Sequence, residues 1–185
     1  MITRLLKRLR LDRRGAAAVE FAFIAPVMIT LYFGLAEVTM AMMAERRASH
    51  LAATLADLVA QDAQVDKLTL DEIVSAGPKL MDPFPSTGLN VCISGVVADA
   101  EGKTTIEWSK VSGACSTRDH TPGAVVVLPD DLLANSEGLV MAEVAYHHTP
   151  IVGYVLDKSK GMDFKEVFYL RPRQATKVAC SDCNS

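Results

Sequence analysis

The feature that most constrains this chain is a long apolar stretch near its amino terminus. Across residues 16–44 the only charged residues are Glu20 and Glu37, and most of the residues between them are apolar. A helix rises about 1.5 Å per residue, so a helix over residues 17–36 would be about 30 Å long, which matches the hydrocarbon core of a bilayer. We therefore predict one transmembrane helix within residues 16–44, followed by a separate domain at residues 45–185.

The charges before and after this stretch predict its orientation. Residues 1–15 contain six of the 19 Lys and Arg residues and one of the 22 Asp and Glu residues, which leaves 13 cations and 21 anions in residues 16–185. Because the cytoplasmic flanks of membrane helices are enriched in Lys and Arg, the amino terminus is predicted to be cytoplasmic and the carboxy-terminal domain periplasmic. The net charge of −8 on residues 16–185 argues against a nucleic-acid partner, since such proteins carry basic surfaces.

Glu20 is costly where it lies, at the entrance to the apolar stretch. An ionised side chain within a membrane helix costs ~2.5–3.5 kcal/mol on insertion scales, so something must neutralise it. The most economical arrangement is a cut after Gly15, which makes Ala16 a new cationic amino terminus that meets Glu20 of a second subunit as the helices bundle. An ordinary secretory signal peptide is the alternative, but Glu20 interrupts its apolar core and no A-x-A motif closes it.

Pro26 lies inside the predicted span, six residues after Glu20. Proline has no N–H to donate and clashes with the preceding helical turn, so we predict a kink or a locally melted turn between Ala22 and Pro26. Membranes tolerate such an interruption where neighbouring groups satisfy the freed carbonyl.

The helical pattern continues beyond the predicted membrane span. Apolar residues at i, i+4, i+7 and i+8 from Leu51 predict a helix that reaches about Gln64 with one apolar face. Two helices separated near residues 45–47 are the alternative. Thr69 and Glu72 have the spacing of a capping box, which predicts a second helix of about ten residues before the prolines that follow.

The pattern then changes from helical to alternating. Apolar and polar residues alternate in residues 89–94 and again in residues 104–108, and a short turn separates the two segments. This pattern predicts a β-hairpin. Residues 138–149 form the longest predicted strand, with residues 164–171 as its late partner. A long helix, a short helix and antiparallel strands predict an α+β fold with the sheet packed on the amphipathic half of the long helix.

Two apolar segments lie in the connections between strands. Val125–Leu128 is predicted to be either a short strand or the lead-in to a turn. Residues 149–156 are predicted to form a hydrophobic plug over the sheet or a contact close to the membrane, and an interface with another subunit is the alternative.

All four cysteines follow the apolar stretch, which suits an oxidising compartment. Four thiols allow three pairings, and from proximity along the chain we prefer Cys92 with Cys115 and Cys180 with Cys183. Free thiols and a metal site are the alternatives, but a single C-x-x-C motif gives little support for zinc.

The sequence contains no recognisable catalytic motif of the G-x-S-x-G, P-loop, G-x-G-x-x-G or H-E-x-x-H type. His147 and His148 are adjacent and would point to opposite faces of a strand, so we interpret them as a surface pair. Asp130 and Asp131 are interpreted as a helix cap or a solvated loop, with only weak support for calcium. We therefore predict no enzymatic activity, no metal and no cofactor.

The amino-terminal residues resemble a known processing site. Gly15, four further residues, Glu20-Phe21 and a long apolar helix with an early proline are similar to the type IV prepilin site, and specifically to the TadE/TadG-like minor pseudopilins of the Tad (Flp) pilus system. Phenylalanine at position 21, where major Flp pilins usually have tyrosine, favours a minor pseudopilin. Further stretches that resemble this family in residue type are Thr54–Gln61, Asp82–Pro85, Tyr169–Arg173 and Cys180.

The resemblance implies a pilin-like fold and a role in assembling Tad/Flp-type (type IVb/IVc) pili for adhesion. It implies that a prepilin peptidase cuts between Gly15 and Ala16 and removes residues 1–15 as a basic cytoplasmic leader. The implied partners are the inner membrane, the prepilin peptidase, other pilins and pseudopilins, and the Tad assembly platform. An uncleaved single-pass envelope protein, whose periplasmic domain binds a ligand or a partner, is the alternative.

Overall fold

The computed structural model describes residues 15–115, 118–129, 131–150 and 161–183. The predictions made for the leader before Gly15, for Asp130 and for the later part of the apolar segment 149–156 lie outside these residues. The chain divides into two compact units, of which the first ends at Met40 and the second begins at Ala41. Each unit is described by itself below.

The long helix α1 comprises Ala16–Ala60 and is continuous over its 45 residues. The prediction of one helix is therefore confirmed, and the alternative with a break near residues 45–47 is not observed. The helix ends four residues before the predicted end at Gln64, because Gln64–Val65 forms the short strand β1 instead.

The carboxy-terminal half of α1 is buried along one face. The buried residues recur at three- and four-residue spacing, which places them on a single stripe of the helix. They are Ala41, Ala44, Ala48, Leu51, Ala52, Leu55, Ala56, Val59 and Ala60. Leu58, which the sequence pattern assigned to this stripe, lies at its margin and is 39% exposed. The buried face belongs to the same compact unit as the sheet.

Two short helices follow, α2 at Lys67–Ser75 and α3 at Gly77–Leu80. The predicted capping box at Thr69 is wrong in its position, because α2 begins at Lys67 and its N-cap is Asp66, three residues before Thr69. The Asp66 carboxylate accepts a hydrogen bond from the backbone N–H of Thr69 at 2.7 Å. This capping bond is the kind that stabilises a helix start. Hydrogen bonding from the Thr69 side chain, and then from its backbone N–H, holds the pKa of Asp66 below its usual value.

The sheet has four antiparallel strands in the order β3-β2-β4-β5. The strands are β2 at Leu89–Ala98, β3 at Thr104–Ser112, β4 at Gly138–His148 and β5 at Met162–Leu170. The predicted hairpin, the longest strand and its late partner are thus confirmed, and so is the α+β layout. Of the segment Val125–Leu128, only Val125 forms an isolated bridge, with Thr105, so it leads into a turn rather than forming a strand.

Both faces of the central strands β2 and β4 are buried. On one face the core cluster consists of Val96, Ile106, Val126, Leu139 and Met141. Cys92 and Ser94, which alternate with the apolar residues of β2, are also fully buried. The reason is that the connection between β3 and β4 contributes Val126 to this face and covers it.

The opposite face is closely packed around the single tryptophan. Gly95 pairs with Trp108 across the β2–β3 ladder, and a Cβ atom on Gly95 would lie 2.3 Å from Trp108 Nε1. Only glycine allows so close an approach of ring and backbone. The indole is fully buried, and its Nε1–H donates to the carbonyl oxygen of Val178 at 2.8 Å.

Val178 belongs to a carboxy-terminal segment, residues 171–183, that crosses from the sheet to the end of α1. Within it, β6 at Ala179–Cys180 pairs in parallel with β1. Gly138 N–H, at the start of β4, donates to Thr176 O at 2.8 Å. The segment therefore connects the sheet to the junction between α1 and α2, an arrangement that hydropathy alone did not predict.

Candidate functional site: the exposed helix and the polar groups of the domain

The amino-terminal part of α1 presents large apolar side chains on all sides. Each is between 46% and 75% exposed, and they are Val19, Phe21, Phe23, Ile24, Val27, Met28, Ile29, Leu31, Tyr32, Phe33, Leu35 and Val38. A helix that is apolar all round needs lipid or other helices as its surroundings. Among the residues that the structure describes, α1 is the one helix whose length and composition would allow it to cross a membrane.

The two threonine hydroxyl groups within this part of the helix are satisfied locally. Thr30 Oγ1 donates to the carbonyl oxygen of Pro26 at 2.8 Å, and Thr39 Oγ1 donates to that of Leu35 at 2.8 Å. Such bonds to the backbone one turn earlier leave neither threonine with an unpaired hydroxyl donor for lipid to accommodate.

Gly15 lies immediately before α1. Its carbonyl oxygen accepts the N–H of Val19 at 3.1 Å, the first hydrogen bond of the helix. A Cβ atom on Gly15 would meet no atom within 4 Å, and its φ lies outside the left-handed region. The described residues therefore supply no packing or backbone reason for glycine here, in contrast to Gly95.

Glu20 lies in the second turn of α1, and it is exposed. It follows Ala16 by four residues, so both project from the same side of the helix. Among the described residues, no group forms a hydrogen bond or an ion pair with the Glu20 carboxylate. The neighbouring Phe21 is 70% exposed. A carboxylate near the positive amino-terminal end of a helix is favoured by the helix dipole.

Pro26 lies within α1, and the backbone is helical from Ala22 through Pro26. The locally melted turn that we considered is therefore not observed. The kink stays a prediction. Its physical cause remains, because proline has no N–H to donate to the Ala22 carbonyl one turn earlier.

Both disulfides have the pairing preferred from the sequence. Cys92 and Cys115 are bridged with their Cα atoms 6.1 Å apart, and Cys180 and Cys183 with theirs 5.7 Å apart. His120 lies close to the first bridge and Asp182 close to the second, so that each group could in principle surround a metal ion. Because thiolates are the sulfur ligands of metals, these oxidised pairs do not offer them.

A buried polar cluster, which sequence reasoning missed, joins the sheet to the connection between β3 and β4. Ser94 Oγ lies 2.8 Å from His120 Nδ1, and His120 Nε2 lies 3.0 Å from Glu143 Oε2. Ser94 and Glu143 are fully buried, and His120 is 6% exposed. The signal in the sequence was the placement of Ser94 and Glu143 within apolar strands.

Hydroxyl, imidazole and carboxylate follow one another here in the order of a hydrolytic triad. The serine hydroxyl, however, is fully buried on a covered face of the sheet, so a substrate cannot reach it. A buried cluster with satisfied hydrogen bonds instead fixes one packing arrangement. We interpret Ser94, His120 and Glu143 as the attachment of the covering connection to the sheet.

Two titratable groups beside this cluster, Asp119 and Tyr169, have shifted pKa values. Hydrogen bonds from Thr121 hold the pKa of Asp119 below its usual range, with a smaller contribution from His120. Burial raises the pKa of Tyr169, against the effect of the Arg118 guanidinium, whose carbon lies 5.7 Å from the ring centroid. Asp119 therefore stays ionised and Tyr169 stays neutral.

His147 and His148 occupy the end of β4 and point to opposite faces, as alternation requires. His147 is exposed and its Nδ1 lies 2.6 Å from Asp163 Oδ1. The prediction of a surface pair is wrong for His148, which is 6% exposed. Its ring packs edge-on to Phe84 at 5.9 Å, because Phe84 covers this end of the sheet.

Comparison with known protein families gives one match, to the TadE-like protein family, over residues 15–57. No curated protein and no solved structure shows a significant match. TadE-like proteins are a structural pilin family rather than an enzyme family. The matched residues include Gly15, Glu20 and Pro26 and most of α1, and they end before the sheet. The resemblance is thus confirmed over this range: residues 15–57 are similar to TadE-like proteins, which is consistent with a TadE-like pilin of the Tad system.

Proposed function

We propose that this protein is a minor pseudopilin of the TadE type that takes part in assembling Tad/Flp pili for adhesion. The observation that carries the proposal is helix α1, which matches a Tad pilin family over residues 15–57 and exposes apolar side chains on every face between Val19 and Val38. Such a helix can leave water in a membrane and can later pack against like helices in a filament. One segment thereby serves both for anchoring and for assembly.

The helix anchors the protein in the inner membrane, with its amino terminus in the cytoplasm and the disulfide-bonded domain in the periplasm. Support comes from the six cations before Gly15 and from the location of both disulfides after the helix. Alkaline carbonate should leave the protein in the membrane pellet, and protease added to spheroplasts should digest the domain. A domain that is protected in intact spheroplasts and cleaved only after lysis would contradict this orientation.

A prepilin peptidase removes residues 1–15 by cutting after Gly15. The support is that Gly15 immediately precedes the helix and has no structural reason to be glycine among the described residues. A peptidase whose active site must accommodate the chain at Gly15 would be a reason for glycine at this position. Cleavage leaves the amine of Ala16 as the first group of α1.

Glu20 pairs with the amine of Ala16 on a neighbouring subunit. The new amine adds its charge to the positive end of the helix dipole, so a carboxylate from another helix is attracted to this end. In lipid or in a filament core, pairing also removes the cost of an isolated charge. Because the pair forms only at one axial offset, it gives the register between subunits.

A zero-length carbodiimide cross-linker tests this pairing directly. An amide bond between the Ala16 amine and Glu20 should appear in peptide mass spectra of the assembled protein. Mixing subunits labelled with ¹⁴N and ¹⁵N distinguishes a bond between subunits from one within a single helix, where the two groups are one turn apart. Bonds that never join the two labels would contradict pairing between subunits.

Glu20→Gln should be cut normally but enter pili poorly. The matched control is Glu45→Gln, an exposed glutamate of the same helix beyond the apolar part. This control removes the same charge and should assemble normally. Normal incorporation of the Glu20 variant, measured by immunoblotting of sheared pili, would count against the pairing mechanism.

An uncleaved envelope protein with a ligand-binding domain is the second candidate function. Two observations favour it: the family match ends at residue 57, and the domain has an open cavity of about 440 Å³ beside Cys115 and His120. It predicts that Gly15→Leu leaves the mature protein and its activity unchanged. The pseudopilin proposal predicts instead that this variant keeps its leader and is absent from pili.

A further inference from the structure

The carboxy-terminal segment is attached at the end of α1. The backbone N–H of Arg173 donates to Ala60 O at 2.9 Å, and its guanidinium forms an ion pair with Asp57. Ala179 N–H donates to Ala63 O at 3.1 Å. The last carbonyl groups of a helix have no partner within it, so the bond to Ala60 satisfies a group that would otherwise need water.

The disulfide loop at the end of this segment is attached at the start of α2. Asp182, between Cys180 and Cys183, accepts a hydrogen bond from the backbone N–H of Lys67 at 3.0 Å. Lys67 is the first residue of α2, where N–H groups lack partners within the helix. Cys180 itself pairs with Val65 in the parallel β1–β6 ladder. The loop therefore holds its acceptor in place through the covalent bridge.

The two disulfides differ in their access to solvent. Cys92 is fully buried in β2 and its partner Cys115 is partly exposed, whereas both members of the second bridge, Cys180 and Cys183, are partly exposed. Thiol–disulfide exchange requires that an attacking thiolate reach a sulfur atom, and short peripheral segments open more readily than core strands. The Cys180–Cys183 bridge, with both cysteines partly exposed in a short peripheral segment, is therefore the more accessible of the two.

We propose that the Cys180–Cys183 bridge is an exchange site for a dithiol reductant, and that its reduction releases the loop from α2. A thiolate of the reductant attacks one of the two sulfurs, and the other leaves as a thiolate. The second thiol of the reductant then breaks the mixed disulfide. The cysteine pair gains two electrons and two protons, and the dithiol is oxidised to its own disulfide. The freed Asp182 no longer caps Lys67, and the β1–β6 pairing loosens.

Differential alkylation of the full chain in detergent tests the exchange. The protein is incubated with increasing dithiothreitol without denaturant, labelled with one maleimide, then fully reduced and labelled with a second. Peptide mass spectra should show Cys180 and Cys183 reduced at concentrations that leave Cys92 and Cys115 oxidised, so the second bridge is an internal control. Reduction of both bridges together, or of Cys92–Cys115 first, would overturn the proposal.

Hydrogen exchange tests the structural consequence. Reduction should speed exchange of the Lys67 amide about tenfold, as expected for the loss of a hydrogen bond to a charged acceptor. Asp182→Ala should show fast exchange at Lys67 in both redox states, whereas Asp182→Asn, which keeps an acceptor, should still respond to reduction. If reduction leaves the exchange rate of the Lys67 amide unchanged, the proposed release of the loop from α2 is overturned. The same holds if reduction speeds this exchange in the Asp182→Ala protein as much as in the unaltered protein.

Discussion

Replacing Gly95 by alanine should strongly destabilise the domain, because the new methyl group would overlap the indole of Trp108. The added Cβ would lie 2.3 Å from Nε1 and 2.4 Å from Cε2. The indole cannot move aside without breaking its buried hydrogen bond to Val178. Overpacking a core costs about 1–3 kcal/mol, and a buried donor left without a partner costs about 1–3 kcal/mol more. We therefore expect a loss of about 2–6 kcal/mol in the free energy of unfolding.

Thermal unfolding of the full chain in detergent measures this loss. Trp108 is the only tryptophan, so its fluorescence reports on the site itself. For a domain of this size the loss corresponds to a fall in the melting midpoint of at least about 4 °C. Gly77→Ala is the control, because its Cβ would lie at an ordinary 3.6 Å from Leu89 and should change the midpoint little. An unchanged midpoint and emission spectrum in the Gly95 variant would refute the packing argument.

Two further predictions concern polar groups of the domain. The pKa of Asp66 is lowered by its hydrogen bonds from Thr69, so its stabilisation of α2 is present above the usual value of 3.8 and is lost as the pH falls through the lower folded value. The protection factor of the Thr69 amide, which is the intrinsic exchange rate divided by the observed rate at the same pH, should therefore fall at acid pH, and Asp66→Asn should abolish that dependence. A protection factor that does not respond to acid would contradict the prediction. Glu143→Leu should cost about 1–3 kcal/mol in urea unfolding, because it removes the partner of the buried His120, whereas Glu143→Gln keeps an acceptor and should cost less. Equal losses of unfolding free energy in the two variants would show that the hydrogen bond to His120 is not the cause of the destabilisation.

The elements that depend on local patterns could be predicted from the sequence. The apolar run and the helical spacing of apolar residues from Leu51 predicted α1. The alternation of apolar residues through Val140 and Val144 predicted β4. These signals arise because helix and strand place side chains at fixed periods along the chain. The family resemblance also came from adjacent residues, Gly15 to Phe21, and the family match covers them.

The features that depend on distant residues could not be predicted in this way. Ser94, His120 and Glu143 are separated by more than 20 residues in sequence, and only the covered face of the sheet brings them together. The N-cap of α2 was predicted at Thr69 instead of Asp66 because both residue types can cap a helix. The sequence alone does not show which of the two has the backbone geometry of a cap. The carboxy-terminal segment is short of periodic apolar residues, since its attachments are mainly hydrogen bonds.

The most direct test of the pseudopilin proposal is the identity of the first residue of the protein extracted from membranes that contain its prepilin peptidase. Amino-terminal sequencing and intact mass should show a chain that begins at Ala16. Deletion of the peptidase should restore the full-length chain. Protein that still begins at Met1 while pili assemble normally would contradict processing after Gly15 and, with it, the amine proposed to pair with Glu20.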